Sequence, residues 1–163
     1  MTQQRLKQKK NETTEPQPLP KSTQTKSSRS IGQRGEFLVA EKLLEHGWDI
    51  AHPLSDSSPF DLLVSKGDRI WRIQIKTTRG LIMYKSSTSP NFQFQTNHGC
   101  RVKSMYDKAL VDFFIFCALD CMKFWVLPFV AVRSMTTKIY GGRNCKFAIY
   151  ANAWDLLETD KTS

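Results

Sequence analysis

The chain opens polar and becomes amphipathic only near residue 30. Residues 1–29 are rich in Gln, Thr, Ser, Lys and Pro, with almost no apolar side chains. Such a stretch buries too little surface to offset its ordering entropy, so it reads as a disordered tail, and residues 30–163 as the folded unit. Ser30 and Gln33 then form a capping-box pair, and Phe37, Ala40, Leu43 and Leu44 recur at helical spacing before Gly47. This predicts a helix over 30–46, with those four side chains inward and Glu41, Lys42 and Glu45 solvated. Glu36 shares part of the apolar face, a charge directed inward from the first turns, which taken alone is better explained as favourable charge near a helix N-terminus. Residues 48–51 predict a short strand, and the apolar runs 60–64 and 69–77 predict a hairpin turning at Lys66-Gly67. Residues 79–105 are polar with scattered aromatics and cations, and predict a long excursion holding a strand near Phe92-Gln93-Phe94. A second hairpin is predicted from the runs 111–118 and 123–129. After it come a short helix over 130–135, a strand over 146–150 and a final helix from Asn152 to Leu157, with Trp154 and Leu157 inward. Helix, strands, excursion, strands and helix in that order predict a mixed α/β sandwich rather than regular βαβ alternation.

Charge narrows the partner. The chain carries +9 at neutral pH, an excess that favours a polyanion, either nucleic acid or an anionic membrane surface. Residues 1–30 hold seven basic and two acidic residues, so half of the excess belongs to the tail and the folded unit is only mildly basic. For the tail, non-specific contact with nucleic acid and a solvated leader without a specific role are equally good readings. Cys100, Cys117, Cys121 and Cys145 show no closely spaced ligand pairs and the chain has three His, so reduced thiols in a cytoplasmic protein are expected rather than a zinc site. The charged start is not followed by an apolar stretch, and the run 109–119 is short and interrupted by Asp112, so neither a signal peptide nor a membrane span is expected.

The candidate chemistry lies in the first hairpin. Gln74 and Lys76, two apart on a strand, share a face, while Ile73 and Ile75 turn to the other side. Asp61 begins the neighbouring strand, and a tight turn brings it alongside. A carboxylate, an amide and an amine, partly buried together, are costly unless they bind something. Asp61 offers a hard anionic oxygen and Gln74 a neutral amide oxygen, both acceptable to Mg²⁺. Lys76 is suited to orienting a water or stabilising charge on an attacked phosphate. Glu36 can bind the ion, bind a second one or position the water. A salt bridge at a hairpin end explains Asp61 and Lys76 alone, but leaves Glu36 and Gln74 unexplained.

Gly35-Glu36 at a helix start, Pro59-Phe60-Asp61 and Gln74-Ile75-Lys76 together resemble the PD-(D/E)XK nuclease superfamily pattern, with Gln in place of the acidic residue of the last motif. This Gln variant is similar to the group I intron-encoded endonucleases of cyanobacteria and, more distantly, to archaeal Holliday junction resolvases. The resemblance spans residues 30–157. It implies an α/β, restriction-endonuclease-like core of αβββαβ type, a mixed central sheet flanked by helices. It also implies a divalent ion, Mg²⁺ with Mn²⁺ as substitute, and phosphodiester hydrolysis. Glu36, Asp61 and Gln74 would then form the metal site and Lys76 the catalytic amine. Arg72, Arg79, Lys85, Arg101 and Lys103 are the candidate phosphate contacts, about half of them expected to be ordinary surface. Tyr84 and Tyr106 could flank a backbone or simply pack, and packing is the expectation. The function expected is a DNA endonuclease of homing type acting on duplex DNA as a dimer or tetramer. The alternatives are a nuclease of junctions or repair acting on branched DNA, and a non-catalytic nucleic-acid-binding protein on the same scaffold.

Overall fold

A computed structural model describes residues 27–83, 89–99, 102–141 and 145–159; the expected tail therefore lies almost wholly outside the described residues. One α-helix, α1 (Ser28–Glu45), precedes the strands β1 (Asp49–Ala51), β2 (Leu62–Lys66) and β3 (Arg69–Thr78). The excursion carries β4 (Asn91–Gln95), β5 (Asn97–His98) and β6 (Ser104–Met105), and the chain returns through β7 (Phe113–Ala118), β8 (Lys123–Pro128) and β9 (Thr136–Tyr140). The main sheet has the order β1-β2-β3-β7-β8, β4 pairs with β9, and β5 with β6. Only β3 and β7 run parallel; β1–β2, β2–β3 and β7–β8 are antiparallel. This is a restriction-endonuclease-like mixed α/β fold.

The two faces of the sheet follow from alternation along β7, whose six residues are all buried, as expected for an interior strand. Phe113, Ile115 and Cys117 join Val39 and Leu43 of α1, Trp71, Ile73 and Ile75 of β3, and Trp154 and Leu157 in one core. Phe114, Phe116 and Ala118 join Phe92 and Phe94 of β4 and Ile139 of β9 in a second core. Phe94 stacks on Phe116 at 4.4 Å between ring centres. The sheet is thus covered by α1 on one side and by the β4–β9 ribbon on the other.

Several expected elements are corrected. The second helix of the αβββαβ plan is absent among the described residues; the crossover from β3 to β7 is built from strands, and α1 is the one α-helix. The N-cap is Ser27, whose side chain accepts from the Ser30 N–H at 3.3 Å, and Ser28 already lies within the helix. The inward stripe is Gly35, Val39 and Leu43, while Phe37 and Leu44 are 63% and 61% exposed. Gly35 is the reason: a Cβ there would overlap the Thr77 side chain of β3, so the helix lies down on its glycine and turns Phe37 outward. The expected helix over 130–135 is a single 3-10 turn, Phe129–Ala131, and is followed by β9, a strand the sequence reading passed over. The expected strand at 146–150 is another 3-10 turn, Ala148–Tyr150. The final helix is a 3-10 segment, Trp154–Glu158, capped at Ala153. Asn152 has φ 52° and gives its N–H to the Phe124 carbonyl of β8, so it ties the terminus to the sheet instead of capping. Trp154 and Leu157 face inward as expected.

Candidate active site

The site arises where β2 stops and β3 continues. The register runs from Lys66 opposite Arg69 to Leu62 opposite Ile73, so β3 from Gln74 onward has no strand on its β2 side. Asp61 closes the pairing. Its N–H donates to the Ile73 carbonyl at 2.9 Å, and its Oδ2 accepts the Ile75 N–H at 2.6 Å. The carboxylate therefore stands where the next strand residue's carbonyl would have been. Its second donor is Gln74 Nε2, at 2.5 Å. That nitrogen also lies 3.3 Å from the Ile75 carbonyl, and contact with two acceptors fixes which end of the amide faces Asp61. Gln74 is only 5% exposed.

Lys76 projects beside Gln74 but makes a different contact. Its Nζ donates to the Tyr106 hydroxyl at 2.7 Å and lies 4.8 Å from the centre of that ring. Among the described residues Lys76 forms no ion pair with either carboxylate. The salt-bridge explanation of Asp61 and Lys76 therefore fails.

Glu36 comes from the other side of the gap. The close seating of Gly35 on Thr77 brings the first turns of α1 to the open edge of β3, and Glu36 and Asp61 line one cleft of about 330 Å³ with Arg29, His52, Asp56 and Phe60. A cleft of about 360 Å³, lined by Trp71, Phe113, Pro128 and Leu156 among others, lies near the starts of β3 and β7. It is slightly larger, but its carboxylate, Asp112, is engaged by Arg72, so the chemistry lies in the smaller one.

Electrostatics tie the three ionisable groups together. Burial pushes the Asp61 carboxyl above its ordinary range, against the opposing effects of the Ile75 N–H, Lys76, the Gln74 amide and His52. Burial also raises Glu36, and the negative charge of Asp61 raises it further. Lys76 is lowered by burial and by the charge of Lys103, with Asp61 and Glu36 opposing. Lys76 thus acts on both carboxylates, and Asp61 on Glu36, through space and without an ion pair among the described residues.

The residues fit a divalent ion by the chemistry of their donors. Both hydrogen bonds to Asp61 fall on Oδ2, leaving Oδ1 without one among the described residues, and Glu36 adds a second hard oxygen on the shared cleft. The Gln74 amide presents its nitrogen, not its oxygen, to Asp61, so it would have to turn over to join the same ion. No group of three His, Cys, Asp or Glu is clustered closely enough to ligate a metal among the described residues, as follows from a set with two carboxylates and one amide.

Of the candidate phosphate contacts, Lys103 is exposed, donates to the Gly99 carbonyl at 2.6 Å and acts on Lys76 through space. Arg79 is exposed just beyond β3. Arg72 is different: its Nε and second terminal nitrogen grip the Asp112 carboxylate, each at 2.9 Å, and the remaining one bonds the Ala109 carbonyl. It locks the entry into β7 and has no free edge for a phosphate. Lys85, Arg101 and Tyr84 lie outside the described residues. Two site residues escaped the sequence reading. His52 was assigned no role, and nothing in its spacing marks it. For Tyr106 the sequence offers packing or contact with a backbone but no link to Lys76, because that partner lies thirty positions away.

A sequence model described as PD-(D/E)XK endonuclease matches residues 26–157. No curated protein matches the chain. Among solved structures, one described as that of a bacterial homing endonuclease, I-Ssp6803I, superposes with a TM-score of 0.69, covering 80% of this chain and 93% of that one at 20% identity; at that identity the likeness concerns the fold. With the family match spanning most of the chain, this protein belongs to the PD-(D/E)XK endonuclease family.

Proposed function

We propose that the chain is a divalent-metal-dependent DNA endonuclease of homing type, in which Glu36, Asp61, Gln74 and Lys76 form the site of phosphodiester hydrolysis. The observation that carries this reading is that Glu36 and Asp61 line one cleft while the half-buried Lys76 amine acts on both charges through space and pairs with neither. Asp61, Glu36 and, once turned over, the Gln74 amide oxygen would hold a Mg²⁺ or Mn²⁺ ion, which when bound would supply Lewis-acid charge. The chain's own residues do the rest. Lys76 turns its two remaining N–H groups to a phosphate oxygen or to the attacking water. Glu36, whose affinity for a proton burial has raised, faces the same cleft as Asp61 and would position the attacking water. Lys103 and Arg79, with Lys85 and Arg101, hold flanking phosphates of the duplex. One small domain makes one cut, so a double-strand break calls for two copies related by symmetry, a dimer or a tetramer. A reducing cytoplasmic compartment suits the free thiols of Cys117, Cys121 and Cys145, and no helix among the described residues is long and apolar enough to cross a membrane.

A second reading, a non-catalytic DNA-binding protein, is favoured by one observation. The Gln74 amide gives its nitrogen, not its oxygen, to Asp61 Oδ2, which leaves one of the three expected oxygen donors turned away from the other two. Supercoiled plasmid incubated with the protein in Mg²⁺, in Mn²⁺ and in EDTA separates the two. Nicking or linearisation that EDTA abolishes is the expected result. DNA retardation without cleavage in either metal would establish the second reading instead.

A further inference from the structure

The excursion between β3 and β7 delivers one side chain into the site that no family motif contains. Tyr106 follows the short β5–β6 ribbon, and its ring is held from two sides, by His98 at 4.9 Å and edge-on by Phe114 of β7 at 5.4 Å. His98 is itself tied across the ribbon to the Met105 carbonyl at 3.1 Å. The phenol is therefore clamped between the ribbon and the main sheet, with its oxygen 2.7 Å from Lys76 Nζ.

Resting on the assignment of Lys76 above, we infer that Tyr106 is a positioning residue: its hydroxyl fixes the Lys76 amine so that the remaining two N–H groups point at the scissile phosphate. A lysine side chain has four rotatable bonds and loses much freedom when localised. Lys76 needs some restraint, since neither Asp61 nor Glu36 is close enough to provide it. Among the described residues the Tyr106 oxygen is the one hydrogen-bond acceptor on Nζ. Burial and the charge of Asp61 raise the phenol well above its ordinary range, so it stays an O–H, accepting from the amine through a lone pair. The excursion thus has a catalytic consequence: it brings the Tyr106 hydroxyl to the Lys76 amine.

Tyr106→Phe isolates the hydroxyl, because the ring and its contacts with His98 and Phe114 remain. The test compares wild type, Tyr106→Phe and Lys76→Met by thermal melting, by DNA affinity in EDTA, and by single-turnover cleavage at saturating protein with Mg²⁺. A positioning role predicts for Tyr106→Phe an unchanged melting point, DNA affinity within about twofold, and a cleavage rate about 10- to 100-fold lower. A cleavage rate equal to wild type would overturn the inference while leaving the nuclease reading intact. So would a loss that follows weakened DNA binding or a lowered melting point, since that marks a packing or binding residue. If wild type does not cleave, or Lys76→Met cleaves as wild type does, the underlying reading falls and this inference with it.

Discussion

At the scale of single residues, Asp61 links stability and chemistry most tightly. It holds the end of β3 through the Ile75 N–H while carrying a charge that burial disfavours. A carboxyl whose folded value is raised binds its proton more tightly folded than unfolded. Stability is then lost as pH rises through the window between the unfolded value, about 4, and the higher folded one, and the cost stays in full above that window. Asp61→Asn keeps an oxygen for the Ile75 N–H but removes the charge. In metal-free buffer at pH 7 it should melt roughly 2–6 °C above wild type, with the advantage vanishing below about pH 4, and it should not cleave DNA. Calorimetry across pH with parallel plasmid assays checks this; a variant less stable than wild type at pH 7 would mean the carboxylate is paid for locally.

At the scale of elements, the site depends on how closely α1 can lie on β3. Gly35 makes that approach possible, since any side chain there meets Thr77. Gly35→Ala normally strengthens a helix by roughly 0.5–1 kcal/mol, but here the overlap should dominate. A net destabilisation of about 1–3 kcal/mol is expected. Displacement of Glu36 from the shared cleft should lower cleavage by at least tenfold with little change in DNA affinity. Denaturant titration and single-turnover rates measure both; a more stable and fully active Gly35→Ala would show that the contact is not what places Glu36. The same contact explains why the helix was legible in position but not in phase. Its length, its stop at Gly47 and the inward Leu43 follow from local pattern. The rotation that exposes Phe37 is set by a glycine–threonine contact 42 positions apart in sequence. The two hairpins were equally legible, since β2–β3 and β7–β8 are adjacent pairs with short turns. Strand β9 and the described residues 145–159 were not, because β9 pairs with a distant strand and the 3-10 turns Ala148–Tyr150 and Trp154–Glu158 are shaped by the sheet they cover.

At the scale of the whole molecule, the identity of the four central residues was readable because they fall on a strand of period two, its hairpin partner and one helix face. Their relations were not. The sequence expects Asp61 and Gln74 to turn their oxygens to one ion with Lys76 beside them, whereas the fold gives Asp61 to the Gln74 amide nitrogen and Lys76 to Tyr106. Charge misled for Arg72, which shares a strand face with the site yet is held by Asp112. Lys103 and Arg72 should therefore behave as opposites. Lys103→Ala should leave the melting point unchanged and reduce the slope of log affinity for DNA against log salt by about one. Arg72→Ala should lower stability by roughly 1–3 kcal/mol, because it removes the charged partner of a partly buried carboxylate that keeps only the backbone N–H of position 72 from that residue. A salt slope that responds to Arg72 and not to Lys103 would place the DNA on the wrong side of the sheet.

The central claim, that the gap between Glu36, Asp61 and Lys76 is where DNA is cut, is tested most directly by cleavage of supercoiled plasmid in Mg²⁺ by wild type, Asp61→Ala and Lys76→Ala, each verified as folded and DNA-binding. Cleavage by wild type that falls by at least a hundredfold in both variants is the predicted result. Cleavage that persists in both at the wild-type rate would contradict it.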